Sequence, residues 1–427
     1  MKTNTMTRLG LAVLMATPAA AEEANLLKDI NQFGAEWGDD TALVSEDSLT
    51  KAITKAHADA YEKYGLEWVV ETSYLFSAIN NPNEGMPGNQ NWYLLHAQAN
   101  WNINKSTNTW IRAEISLSAA LDSRTWRGDG LNEAVASTGA LNADVFTRRG
   151  FGIPELAVMQ YLNNETVCII AGIINQTNYF DANAYANSTF TNFTNSVFVN
   201  TPVLPLADSN FGFVAQSQFN EKWYGMLSYS ITESEMGYTP WHRAADRDPA
   251  AGVGYNLLAE VGYVHEKGAI RITPFVAQNF DGEKDRTYGG VSVGFDQELT
   301  GHLACFGRVG ISSSDDNNFG GASFAASAGL ILKQPLTLLF GHKESENNFL
   351  GVALSVVRPN TEAAPEDEEE EAVNGAHAKR ELVLEVGYSY AVTPFFCVRP
   401  NWQLIQNPSG SARSTATAFG VQAVLTF

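Results

Sequence analysis
From residue 65 onward, apolar and polar side chains alternate in short runs broken by Asn, Gly, Asp and Thr. A period of two marks a strand with one apolar face, because successive side chains of extended backbone point to opposite sides. The final run is the plainest. Phe419, Val421, Ala423, Leu425 and Phe427 share one face, and Gly420, Gln422 and Thr426 the other. Runs of this kind predict strands near 65–80, 91–103, 109–121, 155–163, 166–175, 210–219, 223–233, 257–266, 268–280, 289–299, 302–313, 322–333, 348–358, 380–392, 394–406 and 416–427, sixteen in all.

The links between these runs alternate in length. Segments 104–108, 163–165, 220–222, 267–268, 300–301 and residue Thr393 are tight, whereas 81–90, 122–154, 176–209, 234–256, 281–288, 314–321, 359–379 and 407–415 are long. Tight turns at one rim and long loops at the other are the habit of an up-and-down transmembrane barrel. The exception is 334–347, too long for the tight-turn rim; it leaves room for a further strand, so eighteen strands stay open beside sixteen. The expected fold is therefore all-β, a transmembrane antiparallel β-barrel.

The second face of each strand says what the barrel encloses. Arg112, Glu114, Ser116 and Ser118 alternate with Ile111, Ala113, Ile115 and Leu117, and Glu381, Glu385 and Ser389 oppose Leu382, Leu384, Val386, Tyr388 and Tyr390. The same alternation turns Glu67, Glu71, His96, Gln98, Asn100, Gln216, Gln218, Glu260, Arg271, Asp296, Arg308, Arg399, Asn401 and Gln403 inward. Ionisable groups at mid-strand are costly against lipid and cheap in a wet lumen, so the interior is polar and of mixed sign. Trp68, Tyr74, Tyr93, Trp101, Trp110, Tyr229, Tyr388 and Trp402 lie toward strand ends and are expected to face outward as interface girdles. A soluble sandwich would also alternate, but with loops of similar length at both ends.

The start of the chain gives the compartment. Lys2 and Arg8 flank an apolar run over 9–16, a Thr17-Pro18 break and Ala19-Ala20-Ala21, the arrangement of a secretory signal cleaved after Ala21. Nothing later nears the roughly eighteen unbroken apolar residues of a spanning helix, which leaves an exported chain soluble or a barrel. The expected location is the bacterial outer membrane, with tight turns periplasmic and long loops extracellular. Lys, Arg, Asp and Glu make up 17% of the chain, below the roughly 25% of soluble domains. Without Lys2 and Arg8 there are 25 basic residues against 47 acidic ones, a balance of −22, which argues against nucleic acid or anionic lipid as a partner. Cys168, Cys305 and Cys397 sit singly in strand-like runs with no CxxC pair, and are expected as isolated thiols packed as small hydrophobes.

Segment 176–209 carries the strongest functional signal. It is dense in Asn and aromatic residues, and Asp181 is its only ionised residue before Asp208. A solvated loop has no use for Tyr179, Phe180, Tyr185, Phe190, Phe193 and Phe198, so the segment is expected to pack, either folded inward to narrow the lumen or against a rim or a neighbouring subunit.

Here the chain resembles a known family. Asn178-Tyr-Phe-Asp-Ala-Asn-Ala-Tyr-Ala-Asn187, the stretch from Asn200-Thr-Pro202 to Gly212, Gly150-Phe-Gly-Ile-Pro-Glu155, Gly172, Leu384-Glu-Val-Gly-Tyr388, Pro400-Asn-Trp-Gln403 and Asn407-Pro-Ser-Gly410 together resemble the carbohydrate-selective porins, the OprB family, over roughly residues 65–427. The resemblance implies a sixteen-stranded barrel passing monosaccharides and small oligosaccharides by passive diffusion, narrowed by loop 176–209. Paired Arg and carboxylate groups with Asn and Gln suit sugars, whose vicinal hydroxyls both donate and accept. Release requires several shallow contacts rather than one tight one.

The candidate pore-lining, substrate-binding residues are Glu71, Arg112, Glu114, Glu260, Arg271, Arg308, Glu385 and Arg399, with Tyr179, Asp181, Asn183 and Tyr185 on the constriction loop. The alternative for each is membership of an ion-pair ladder that holds the wall and its field in shape. No catalytic residue, cofactor or metal is expected, because HExxH, GxSxG, a Walker loop and a complete GxGxxG are missing and Gly252-Val-Gly254 lacks the third glycine. A general diffusion porin without sugar selectivity, and an outer-membrane barrel enzyme built around His96, are the competing classes. Carbohydrates, outer-membrane lipid and the barrel-assembly machinery are the expected partners, and monomer and homotrimer both stay open.

Three segments are expected: a signal over 1–21, a periplasmic segment over 22–64 and the barrel over 65–427. In the second, Leu49, Ile53, Ala56 and Ala60 repeat at helical spacing and predict a short amphipathic helix that either plugs or caps the periplasmic mouth, or docks on a partner. The run 366–371 is expected to be a solvated extracellular tip.

Overall fold
The computed structural model describes residues 25–31, 48–83, 86–121, 131–132, 134–135, 137–145, 149–233, 253–280, 285–313, 321–341, 344–345, 347–359, 380–410 and 415–427. The expected signal over 1–21 and the acidic run 366–371 lie outside them. Sixteen strands follow one another: β1 Leu66–Asn80, β2 Asn89–Asn104, β3 Thr109–Ala120, β4 Arg149–Leu162, β5 Val167–Ile174, β6 Asn210–Gln218, β7 Trp223–Glu233 and β8 Val253–His265. The second half is β9 Gly268–Phe280, β10 Asp285–Thr300, β11 Leu303–Ser312, β12 Ala322–Lys333, β13 Phe349–Pro359, β14 Glu381–Thr393, β15 Phe396–Gln406 and β16 Ala416–Thr426.

Each strand pairs antiparallel with its neighbours in sequence, and β1 closes on β16 through a register that includes Glu71 opposite Thr426. Closure removes the sheet edges, so every ladder group finds a partner without water, the condition for crossing a bilayer with strands. The last residue takes part: the Phe427 amide donates to the Val70 carbonyl at 2.8 Å, and the Val70 amide returns a bond at 2.9 Å. Among the described residues no helix is long and apolar enough to cross a membrane.

Tight turns and both ends of the sheet share one rim. Asn108, Asn163 and Asn164 adopt positive φ in these turns, a conformation that Asn tolerates better than most residues. The described residues of 334–347 add a helix rather than a strand, and the closed barrel has sixteen strands. The turn carries Pro335–Phe340 between Gln334 and Gly341, both at positive φ, and Glu344 accepts from the amides of Leu336 and Thr337 at 2.7 and 3.1 Å. A carboxylate on the free amides of a first helical turn, with Pro at its start, makes helix the lower-energy choice there.

Alternation inside the strands is as expected with one correction. Trp110 shares the face of Arg112 and Glu114 and is buried, its indole donating to Asn108 at 2.7 Å, so it belongs to the interior and not to an outer girdle. Outward faces are apolar and open, among them Ile115, Val158, Ile272, Val309, Leu330, Val352 and Phe419. All three cysteines are free.

The described residues before the barrel form two helices. Helix α1, Leu26–Asn31, enters the lumen, while α2, Ser48–Tyr64, covers the predicted helical repeat and lies against β1. His57 of α2 stacks on Trp68 at 4.1 Å, and the Trp101 indole donates to the Tyr64 carbonyl at 3.1 Å. Trp68 and Trp101 are outward residues, so α2 sits on the outer side of the tight-turn rim.

Candidate functional site: a lumen clamped by its own loop
The loop between β5 and β6 lies inside the barrel and is fastened to three sectors of the wall. It starts with a 3-10 turn, Gln176–Asn178, capped by the Asn175 side chain, and carries the short helix α3, Ser196–Val199, capped by Asn195. Its aromatic residues Tyr179, Phe180, Tyr185, Phe190, Phe193 and Phe198 are all buried. Phe193 packs against Phe198 at 5.5 Å and against Phe306 of β11 at 5.6 Å.

The first sector is β1–β4. Arg112 Nε donates to Glu155 at 2.9 Å, and its guanidinium lies 5.2 Å from the centre of the Tyr179 ring, whose hydroxyl donates to the other Glu155 oxygen. Asn178 donates to Glu155 at 2.8 Å and to Glu114 at 2.6 Å, and Asn175 donates to Glu114 at 3.1 Å. His96 stands between two carboxylates, 2.8 Å from Glu114 and 3.6 Å from Glu71, with its ring stacked on Phe190 at 6.2 Å.

The second sector, β7–β11, holds the loop through Arg308. Its guanidinium donates to the Asp181 carboxylate at 3.0 Å and to the carbonyls of Asp181 at 2.9 Å, Ala186 at 2.6 Å, Phe198 at 2.6 Å and Val199 at 3.2 Å. The Thr201 amide completes the Asp181 shell at 2.7 Å. Burial pushes the Asp181 carboxyl above its ordinary range, and Arg308 and Thr201 pull it back. Glu260 accepts from Tyr224 and Thr273, each at 2.8 Å, and from the Asp181 amide at 3.4 Å. Gly262 makes this possible: a Cβ there would stand 2.2 Å from the Tyr224 ring. Arg271 pairs with Asp296 at 2.7 Å, and Asn183 donates to the Phe295 carbonyl at 3.1 Å. Gln176 donates to Ser228 at 2.8 Å and to Asn256 at 3.0 Å.

The third sector is β14–β16. Glu385 accepts from the amides of Thr194 and Asn195 at 2.8 and 2.9 Å and from the Thr194 hydroxyl at 2.9 Å. Gln403 exchanges bonds with Asn195 and Thr194, both at 2.9 Å, and Arg399 donates to the carbonyls of Thr189 and Asn192. Tyr185 has the Lys333 ammonium 5.6 Å above its ring, and Lys333 pairs with Glu298 at 2.6 Å.

The lumen is also occupied at the tight-turn end. The Asn31 carbonyl of α1 accepts from Arg112 at 2.7 Å and Asn100 at 3.1 Å, while its side chain donates to Gln216 at 2.7 Å and Tyr161 at 3.3 Å. The Leu26 amide donates to Gln218 at 3.0 Å, Lys28 pairs with Glu165 at 2.6 Å, and Leu27 is 0% exposed. The long loop before β4 reaches in as well: Asp144 accepts from the Thr189 hydroxyl, and the Thr138 amide donates to Glu381 at 2.8 Å. Burial pushes the Asp144 carboxyl up to about 6, with His96 opposing and Glu71 and Glu114 reinforcing the rise.

The eight wall candidates thus all face the lumen, but they are not alike. Arg112, Glu114, Glu260, Arg271, Arg308, Glu385 and Arg399 are buried, and all except Arg271 bond directly to the loop or to α1. Glu71 stays partly open, as do Glu67, His96 and Gln98. Tyr179, Asp181, Asn183 and Tyr185 are buried in the clamp. Glu155 and Asp144, outside the candidate set, are central to it; Glu155 directly faces Glu114 in the register, and β4 begins at Arg149, earlier than the sequence pattern suggested. Among the described residues no His, Cys, Asp and Glu cluster is arranged to hold a metal.

A closed sixteen-stranded barrel with a polar lumen, narrowed by a loop from the long-loop rim, is the architecture of outer-membrane porins. Residues 241–427 match the family model described as carbohydrate-selective porin, OprB family. The fold is similar to the high-pH structure of Pseudomonas putida OprB, with TM-score 0.67 at 14% identity over 88% of this chain and 97% of that one. The low-pH structure of the same protein gives TM-score 0.51 at 11% identity over 89% and 98%. No curated protein matches the sequence.

Proposed function
We propose that the barrel passes monosaccharides and small oligosaccharides by passive diffusion, and that loop 176–209 sets its selectivity. The observation that carries this reading is the clamp itself: a nearly uncharged, Asn-rich and aromatic-rich segment held across the lumen by wall arginines and carboxylates. In this proposal the buried arginines and glutamates act as loop anchors. The half-open Glu67, Glu71, His96 and Gln98 of β1 and β2 then meet the passing sugar, exchanging hydration-shell bonds for donors and acceptors of similar strength. The same proposal has the signal cleaved after Ala21, a periplasmic segment 22–64 preceding the barrel over 65–427, insertion by the barrel-assembly machinery, and work as a monomer or a homotrimer.

Planar-bilayer recordings with a panel of saccharides test it. Sugar-dependent, saturable block of the single-channel current is the expected result. A salt-scaled conductance with no block by any common saccharide would instead make the chain a general diffusion porin.

A further inference from the structure
The helix in the turn after β12, here α4 (Pro335–Phe340), leaves Leu338, Leu339 and Phe340 at 54%, 62% and 68% exposure. Three consecutive large apolar side chains pointing to water are unusual on a soluble surface. Their position explains them. Tyr388 belongs to the outward face of β14, and its hydroxyl donates to Glu344 at 2.6 Å. The same carboxylate holds the first amides of α4 and the Asn348 side chain, the last at 3.1 Å. The helix is therefore fastened to the outer side of the wall, at the rim that carries the tight turns. The outward residues of the two strands it joins, Leu330 of β12 and Val352 and Leu354 of β13, are open apolar side chains of the bilayer-facing belt. The exposed turn of α4 continues that belt beyond the ends of the strands.

We propose that α4 is a membrane anchor, seated by Leu338, Leu339 and Phe340 at the boundary between headgroups and acyl chains of the periplasmic-side leaflet. A short apolar turn with polar groups behind it is the chemistry of an interfacial segment. Glu344 fixes its angle by binding the helix start and the wall at once. The length of 334–347, excessive for a turn, is what this seat requires.

The test uses the full chain reconstituted in phosphatidylethanolamine and phosphatidylglycerol vesicles. Phe340→Cys in a Cys305→Ala background carries a nitroxide label, and the background alone corrects for labelling at Cys168 and Cys397. Collision rates with oxygen and with a water-soluble nickel chelate report depth. The expected oxygen-to-nickel ratio is several-fold above that of a Lys222→Cys label on an exposed tight turn and close to that of a Val352→Cys label in the belt. A ratio equal to that at residue 222 overturns the proposal. So does dipolar broadening between labels that vanishes on dilution with unlabelled protein, since it would make a second copy the occupant. Leu339→Cys repeats the measurement if the first variant fails to fold, which its heat-dependent gel mobility reports.

Discussion
Replacing Arg308 by Met should free the loop while leaving the barrel closed. The guanidinium makes one charged and four carbonyl contacts with segment 181–199. Met keeps the apolar stem and removes every donor. Asp181 is then left 4% exposed with the Thr201 amide as its remaining close backbone donor. Breaking a buried ion pair by removing one partner costs about 3–5 kcal/mol. At about 1.4 kcal/mol per factor of ten, the ratio of docked to undocked loop falls by roughly two to four orders of magnitude. None of the ladder bonds between strands is touched, so the cost falls on the loop. Single-channel recording of the Arg308→Met protein should show higher conductance, more open-channel noise and weaker sugar block than wild type, with a much smaller change in heat-modifiable gel mobility. Asp181→Asn alone should be milder, and the double variant should recover part of the loss, because no uncompensated carboxylate is left behind. Conductance, noise and block all equal to wild type in Arg308→Met would refute the clamp.

Other perturbations separate the remaining elements. Arg112→Ala removes the donor to both Glu155 and the Asn31 carbonyl, and should change sugar block more than heat stability; the reverse order would make Arg112 purely structural. Leu27→Asp places a charge at a fully buried position of α1 and should expel the helix and raise conductance from the periplasmic side, whereas an unchanged current would deny α1 any part in the lumen. Asp144, raised to about 6 by burial, binds its proton more tightly docked than undocked. Docking of its loop is therefore strongest at acid pH, weakens as pH rises from about 4 through about 6, and is flat beyond. Open-channel noise should then be lower at pH 5 than at pH 7 in wild type and level in Asp144→Asn, while equal pH slopes in both proteins would refute it.

The barrel was legible because its two requirements, alternation and unequal loops, are written locally. Each strand states its faces, and each turn states its rim. Trp110 misled because an aromatic near a strand end looks like a girdle residue, although its parity with Arg112 already turned it inward. Segment 334–347 could not be resolved from apolar content alone, since six apolar-rich residues suit a short strand or a short helix equally; Pro335 and the carboxylate at Glu344 decide it. The candidate site was legible as a set of lumen charges, but not as a clamp. Which arginine meets which loop carbonyl depends on how far the loop reaches across the lumen, and no local pattern records that. The N-terminal segment shows the same limit: the helical repeat at 49–60 is visible, while the six residues that enter the mouth carry no periodicity long enough to notice.

The loop between β5 and β6 also sets an order on how the molecule is made. Its anchors at Glu385 and Gln403 are 191 and 208 residues away along the chain, on strands that arrive almost last. Contacts of such separation form only after the intervening chain is in place. An unfinished barrel therefore has strands but no defined aperture, and the width of the channel is established by the same event that closes the sheet.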